Sequence, residues 1–277
     1  MQNKIDKVIL EALTRHARGM TYRLIDHTDP SKGGTAVAIN IGKRYFLATA
    51  AHVIPEGHNF EIVLRNGVRT TLCSFSSRYV DTEADVGLLE IEEDYYEYIS
   101  TSCASLSNIC INIQQNKENK IAVIGYPGQY ISTQRKQIAK QDILETHIYD
   151  TLAYISFVLP PERWPSDGLE RNSVTGRDIF IDFVPDEGMF KSSPDSVDII
   201  LENSLKCPKL YGMSGGGIWL LESKKDQIWQ PDVKLIGIQC SVYEKGNWIR
   251  GSLIKSWLQL VAREYLDLKA HIDLFVQ

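Results

Sequence analysis

Apolar and polar residues change their spacing twice along the chain. Between residues 2 and 19, apolar side chains such as Ile5 and Ile9 recur every three or four positions, a pattern typical of an amphipathic helix. From about Thr21 this period gives way to short β-rich runs separated by glycines and turn residues. A helical period returns over Leu253–Leu268. We therefore expect a β-rich protein with a helix near each end.

The β-rich runs form two series. We place the first at residues 21–115, where Asn66-Gly67, the pair favoured in a tight hairpin, separates two of its runs. The second occupies residues 116–252, and we interpret the proline-rich stretch at about 160–208 as an elaboration of it. The predicted strands of the two series are Thr35–Ile41, Arg44–Thr49, Phe60–Leu64, Thr70–Ser74, Val86–Ile91, then 120–128, Ile148–Leu159, Asp178–Phe183, Gly217–Leu221, Leu235–Cys240 and Trp248–Ile249. Residues 1–20 and 253–277 complete the predicted organisation as the N-terminal helix and the C-terminal helix with its tail.

Charge and composition narrow the classes of function. The 277 residues carry a net charge of −5, and no basic stripe of the kind that binds nucleic acid is visible. No apolar run approaches the roughly 20 residues that span a bilayer, so we expect no membrane segment. The five cysteines are irregularly spaced and fit neither a disulfide framework nor a zinc site. We expect a cytoplasmic protein with no metal and no cofactor.

Two polar residues stand at the edges of β-rich runs. His52 ends an apolar run and follows Ala50 and Ala51, small residues that let the backbone turn tightly and place the imidazole in a cleft. Asp85 opens the apolar run Val86–Ile91, where a buried carboxylate costs several kcal/mol unless a partner such as a histidine N–H compensates. Taken singly, His52 is explained equally well as a histidine that caps a core strand, and Asp85 is explained better as a surface aspartate that ends a turn.

A third candidate is Ser214, which lies in the glycine-rich run Gly212–Gly217 just before an apolar strand. The glycines permit unusual backbone angles and close approach by another segment. The N–H groups of Gly212 and Ser214 can then converge on one point, as an oxyanion hole requires.

Together these motifs resemble the trypsin-like, chymotrypsin-fold serine peptidases, over roughly residues 20–265. The family's Thr-Ala-Ala-His run ends here at His52, its aspartate-led apolar strand begins at Asp85, and its Gly-Asp-Ser-Gly-Gly motif reads Gly-Met-Ser-Gly-Gly around Ser214. The resemblance implies an all-β fold of two six-stranded antiparallel barrels. It also implies a His52–Asp85–Ser214 triad, an oxyanion hole of Gly212 and Ser214, and a protein or peptide substrate.

The family pattern is not matched everywhere. Met213 replaces the aspartate that pairs with a newly cut N-terminus in zymogen-activated members, so activation by such cleavage is disfavoured. The resemblance places Pro208 at the base of the substrate pocket, so the pocket has no acidic residue at this position to pair with an Arg or Lys side chain of a substrate. It assigns the pocket wall to three consecutive residues: Cys240, Ser241 and Val242. The thiol of Cys240 itself is expected to act as a small buried apolar group.

Two alternatives to an active trypsin-like peptidase also fit parts of the sequence. The Gly212-x-Ser214-x-Gly216 spacing also fits the nucleophile elbow of α/β-hydrolases, but that fold needs its acid and histidine after the serine, and only His271 follows. The other alternative keeps the fold without the chemistry, as a peptide-binding pseudo-protease, or as a protease effector held inactive until a protein partner binds. An inhibiting partner, the 160–208 elaboration or the N-terminal helix would then supply the restraint.

Overall fold

The computed structural model describes residues 16–26, 33–66, 69–113, 120–127, 151–166, 169, 171–184, 189–192, 197–199, 210–222 and 232–276. The strands of the first half are β1 (Thr21–Asp26), β2 (Gly33–Ile41), β3 (Arg44–Thr49), β4 (Phe60–Asn66), β5 (Arg69–Cys73), β6 (Phe75–Asp81), β7 (Val86–Ile91) and β8 (Ala104–Ser105). Those of the second half are β9 (Lys120–Gly125), β10 (Thr151–Phe157), β11 (Asp178–Asp182), β12 (Met189–Ser192), β13 (Val197–Ile199), β14 (Gly217–Glu222), β15 (Asp232–Tyr243) and β16 (Trp248–Leu253). The α-helices that carry labels below are α1 (Tyr96–Ile99), α2 (Ile254–Glu264) and α3 (Leu266–Val276).

The first sheet curls into a six-stranded ring. Its strand order is β5-β4-β1-β2-β3-β7-β6, with antiparallel neighbours, and β8 adds a short parallel pairing to β2. Ser74 alone separates β5 from β6, so these two segments act as one bent strand whose halves pair with β4 and β7. Counted in this way, six strands close the first barrel.

The second sheet closes in the same manner. Its order is β11-β16-β15-β14-β9-β10-β12-β13. An antiparallel bridge between Val158 and Ile181 brings the end of β10 back to β11, and Leu159 N–H donates to the Phe180 carbonyl at 2.7 Å beside it. Six strands thus form the ring, and the β12–β13 hairpin extends the sheet beyond it. The predicted all-β class with two six-stranded antiparallel barrels is confirmed.

One hydrophobic cluster joins residues of both barrels to the closing helices, beside the separate clusters of each barrel. Strand β7 is buried along its whole length, because β3 and β6 flank it and α2 packs against it. Trp257 of α2 is fully buried and donates its indole N–H to the Gly87 carbonyl at 3.1 Å. Truncation of such a tryptophan to alanine typically costs about 3–5 kcal/mol. The helix therefore fixes the position of β7, the strand that begins immediately after Asp85.

The C-terminal region differs from the single helix predicted over Leu253–Leu268. The structure has two helices, and the chain leaves helical geometry at Tyr265, whose φ and ψ are −124° and 88°. The Tyr265 hydroxyl donates to Glu90 Oε2 at 3.0 Å, and its ring packs edge-on against Phe46 at 5.2 Å. Anchoring of this side chain in the first barrel accounts for the break, and residues beyond Leu268, expected to be a tail, are helical to Val276.

Several of the other predicted helices and strands differ from those in the structure. Residues 16–19 are helical, as expected, whereas the rest of the predicted N-terminal helix lies outside the described residues. Strand β6 was not predicted, and the elaboration at 160–208 contains three strands, β11 to β13, rather than one. Within the first series the structure also contains α1 and the short strand β8, neither of which was predicted. Within the described part of the chain, none of the helices has the length and apolarity needed to cross a membrane.

Candidate active site

His52 sits on a short turn that follows strand β3. The strand ends at Thr49, and residues Ala51–Val53 form a single turn of 3₁₀ helix. Ala51 and Val53 are buried and hold this turn against the barrel, while the His52 side chain is half exposed at 50%. The small residues before the histidine thus place its imidazole at the barrel surface, as the sequence predicted.

Asp85 faces His52 from the start of β7. Its carboxylate oxygens lie 3.0 Å from His52 Nδ1, and the backbone N–H of His52 also donates to Oδ1 at 3.1 Å. A carboxylate can only accept, so Nδ1 carries the proton and Nε2 is left as the basic nitrogen. Asp85 has a φ of +52°, an uncommon backbone state that aspartate tolerates better than most residues and that recurs at functional sites.

Ser214 lies in a tight loop of the second barrel. The Met213 N–H donates to the Leu210 carbonyl at 3.1 Å, and Gly212 sits third in this turn with a φ of +92°, as a type II turn requires. Gly215 has a φ of +88°, and a Cβ there would collide with the Thr35 carbonyl oxygen. The glycines predicted to free this backbone are therefore needed at both positions.

A threonine from the first barrel clamps the serine loop. The Thr35 N–H donates to the Ser214 carbonyl at 2.8 Å, and its hydroxyl donates to the Gly212 carbonyl at 2.9 Å. The Thr35 carbonyl in turn accepts the Thr49 hydroxyl at 2.7 Å, at the end of the strand that leads to His52. One residue thus sets the spacing between the two halves of the site. Thr35 was not predicted as a site residue, because a threonine in a β-run carries no distinguishing signal.

The three predicted catalytic residues line one cleft of about 810 Å³. The other residues that line it are Thr82, Arg171, Leu210, Tyr211, Gln239, Cys240, Ser241, Val242 and Glu244. The Ser214 hydroxyl donates to the Cys240 carbonyl at 3.3 Å. The backbone N–H groups of Gly212 and Ser214, expected to form an oxyanion hole, make no backbone hydrogen bond with other described residues.

Cys240, Ser241 and Val242, which were predicted to form the pocket wall, line this cleft, and Cys240 contributes mainly through its backbone. Its side chain is 3% exposed and lies against the Asp85 carbonyl, with the sulfur 3.5 Å from that oxygen. Burial raises the pKa of this thiol to about 12, so it stays protonated and unreactive at neutral pH. Ser241 and Val242 are partly exposed to the cleft, and Pro208 lies outside the described residues.

Arg171, from the predicted elaboration, supports the loop that carries Asp85. Its guanidinium donates to the backbone carbonyls of Glu83 and Ala84, at 2.5 and 3.0 Å, directly before Asp85. The same group is paired with the fully buried Asp178 at 3.2 Å. Arg177 and Arg250 also contact this carboxylate, each at 3.1 Å. Part of the elaboration is therefore built into the site, which its proline-rich sequence did not reveal.

Met213 lies in the core of the second barrel. Its side chain is 1% exposed and packs among residues of that core such as Ile121 and Leu210. The apolar residue that replaces the family's aspartate is thus held by packing. A thioether cannot form an ion pair, so apolar packing fixes this residue of the serine loop.

Two antiparallel six-stranded barrels with a cleft between them define the chymotrypsin-like fold. No family model and no curated protein matches the chain. Among solved structures it is similar to a serine endoprotease from Yersinia pestis (TM-score 0.49, 14% identity), covering 91% of this chain and 64% of that one. It is also similar to the protease Anisep from Arthrobacter nicotinovorans (0.49, 11%, covering 85% and 90%) and to the HtrA-type protease AlgW (0.49, 17%, covering 89% and 60%). The chain spans under two thirds of the Yersinia protein and of AlgW, and at these identities the likeness concerns the fold alone.

Proposed function

We propose that the chain is a serine endopeptidase that hydrolyses peptide bonds through His52, Asp85 and Ser214. One observation carries the proposal. His52 makes two hydrogen bonds to the Asp85 carboxylate, one from its ring and one from its backbone N–H, and it lines the same cleft as Ser214 of the glycine-rich loop. A structural His–Asp pair has no need of such a serine. Asp26 and His58, at 2.7 Å, form a pair of that kind in the first barrel, and neither is among the residues that line this cleft.

The proposed reaction follows from the roles that the geometry allows. Ser214 Oγ attacks the scissile carbonyl as its proton passes to His52 Nε2, and an acyl-enzyme forms when His52 returns that proton to the leaving amine. Water then attacks the acyl group with His52 again as the base, which releases the acid product and restores the serine. Asp85 holds the imidazole tautomer and stabilises the imidazolium. The N–H groups of Gly212 and Ser214 stabilise the oxyanion.

The experiment compares peptide hydrolysis by the purified protein with that by the Ser214→Ala variant. Loss of the nucleophile should lower turnover by roughly 10⁴–10⁶-fold and leave the melting temperature unchanged within a few degrees. Ser107→Ala, which alters an exposed serine outside the cleft, serves as the matched control and should keep full turnover. Equal hydrolysis by wild type and Ser214→Ala would remove the assignment.

A protease effector held inactive until a partner binds is the second candidate, and one contact favours it. Ser214 Oγ lies within hydrogen-bond distance of the Cys240 carbonyl, at 3.3 Å, and must exchange this acceptor for His52 Nε2 before its proton can be transferred. Addition of an activating protein should then raise turnover from a low basal rate without any cleavage of the chain. A full basal rate in the purified protein would exclude this restraint.

A further inference from the structure

Gln239 is fixed directly behind the nucleophile. The Gly215 N–H donates to the Gln239 carbonyl, and the Gln239 N–H donates to the Gly216 carbonyl, both at 2.8 Å. The carbonyl of the next residue, Cys240, accepts the Ser214 hydroxyl. Both the N–H and the carbonyl of Gln239 are therefore hydrogen-bonded to the serine loop, and the carbonyl of the following residue contacts Ser214 Oγ.

The side chain of Gln239 is buried without a complete set of partners. It is 1% exposed, and its Oε1 has no hydrogen-bond partner among the described residues. Burial of an amide costs free energy unless its groups are paired. Thr151 Oγ1 and Trp219 Nε1 are also buried and unpaired within the described part of the chain, but neither residue is among those that line the cleft. Gln239 is among the residues that line it, so a bound substrate can supply the missing partner once the buried amide turns toward the cleft.

The position indicates which substrate residue would meet this amide. The attacked carbonyl must lie at Ser214 Oγ, which donates to the carbonyl of Cys240, the residue next to Gln239. Gln239 is therefore assigned to the side chain of the residue that supplies the attacked carbonyl. An apolar side chain there would leave the glutamine amide unpaired. A carboxamide can donate to Oε1 and accept from Nε2 at once, since each amide carries both kinds of group.

Charged substrate side chains have less to gain in this cleft. Arg171 already donates to two backbone carbonyls and to Asp178, and it is only partly exposed. Glu244 is exposed and lies directly after β15, where an ion pair with substrate contributes little. Among the described residues that line the cleft, the buried group with unmet hydrogen-bonding capacity is therefore an uncharged amide.

We infer that Gln239 is a specificity-determining residue that selects peptides with glutamine or asparagine on the acyl side of the scissile bond. This inference rests on the proposed peptidase function, since it assigns the substrate class of that same cleft. A site built to pair a polar group discriminates strongly against analogues that lack it, because its own buried group is then left unpaired.

The test uses peptide pools that are randomised except at one fixed residue, which is Gln, Asn, Leu, Arg or Asp. In the binding arm, immobilised Ser214→Ala captures each pool and mass spectrometry measures enrichment. We expect roughly 10- to 100-fold enrichment of the Gln and Asn pools over the Leu pool. The added substitution Gln239→Leu should abolish or reverse this preference, whereas Thr151→Val, which removes a buried unpaired hydroxyl away from the cleft, should leave it intact. Thermal melts of all variants establish that they are folded.

In the cleavage arm, the wild-type protein is given the same pools and the new termini are identified. Cleavage after Gln and Asn, lost in Gln239→Leu, supports the inference, and cleavage without such a preference overturns it while the peptidase function stands. Selective capture of the Gln and Asn pools without cleavage would support the pocket assignment and contradict the peptidase function. Capture of no pool, or a preference that survives in Gln239→Leu, would overturn the inference.

Discussion

The two halves of the candidate site are held in place by different means. On the first barrel, side chains bond to each other: His52 contacts both carboxylate oxygens of Asp85. On the second barrel, Ser214 is positioned by its backbone, through hydrogen bonds that fix its carbonyl and the adjacent Gly215 N–H. The first half depends on the imidazole and carboxylate side chains, which a substitution can remove. The second half depends on glycines that have no side chain, so a substitution there adds atoms where there is no space. Substitutions should therefore damage the two halves in different ways.

The largest expected effect in this comparison comes from Asp85→Asn. The amide preserves the shape of the carboxyl group but can donate to His52 Nδ1, which favours the wrong tautomer and removes the charge that stabilises the imidazolium. Turnover should fall by roughly 10⁴-fold. The melting temperature should change little, because asparagine has the same size and shape as aspartate and the packing around it is unchanged. Steady-state kinetics and a thermal melt measure the two effects, and a loss of activity below tenfold would show that Asp85 does not act on the histidine.

Gly215→Ala should damage the second half through the fold itself. The added Cβ would meet the Thr35 carbonyl and Thr49 hydroxyl at a positive φ, so we expect a loss of about 3–5 kcal/mol in unfolding free energy. Displacement of the loop should also lower turnover by roughly 10²–10³-fold. Gly57→Ala is the matched control, since Gly57 has a φ of +77° but open space around its Cβ. It should lose only about 1–2 kcal/mol and little activity. Equal losses in urea unfolding would refute the steric argument.

Arg171→Met should lower turnover by less, because Arg171 belongs to the second half of the chain but supports the loop before Asp85 in the first. The Glu83–Ala84 carbonyls lose their donor, so the loop before Asp85 becomes less ordered, while Arg177 and Arg250 still pair with Asp178. We expect kcat to fall about tenfold with KM nearly unchanged, equivalent to about 1.4 kcal/mol. The control is Arg163→Met, an exposed residue 3.9 Å from Asp182, which should have no measurable effect. A rise in KM alone would place Arg171 in substrate binding instead.

The sequence predicted the parts of the site that have local signals. A histidine after small residues, an aspartate before an apolar strand and a serine among glycines each mark a turn at a strand edge, and all three line the cleft. Thr35, Arg171 and Gln239 were missed, because their roles depend on contacts between segments far apart in sequence. Strand β6 was missed for a related reason: its side chains are mostly half exposed, so the run Phe75–Asp81 lacks the apolar character of a core strand. Conversely, the closing helix was predicted too simply, since its break depends on the anchoring of Tyr265 in the other barrel.

The most direct test of the account is whether the two halves act as one catalytic unit. A fluorophosphonate probe reacts with a serine hydroxyl that an adjacent base activates, and peptide mapping by mass spectrometry locates the adduct. The account predicts one adduct per chain, on Ser214, with labelling abolished by Ser214→Ala and greatly slowed by His52→Ala. Labelling of Ser214 at the same rate in His52→Ala, or adducts distributed over other serines, would contradict it.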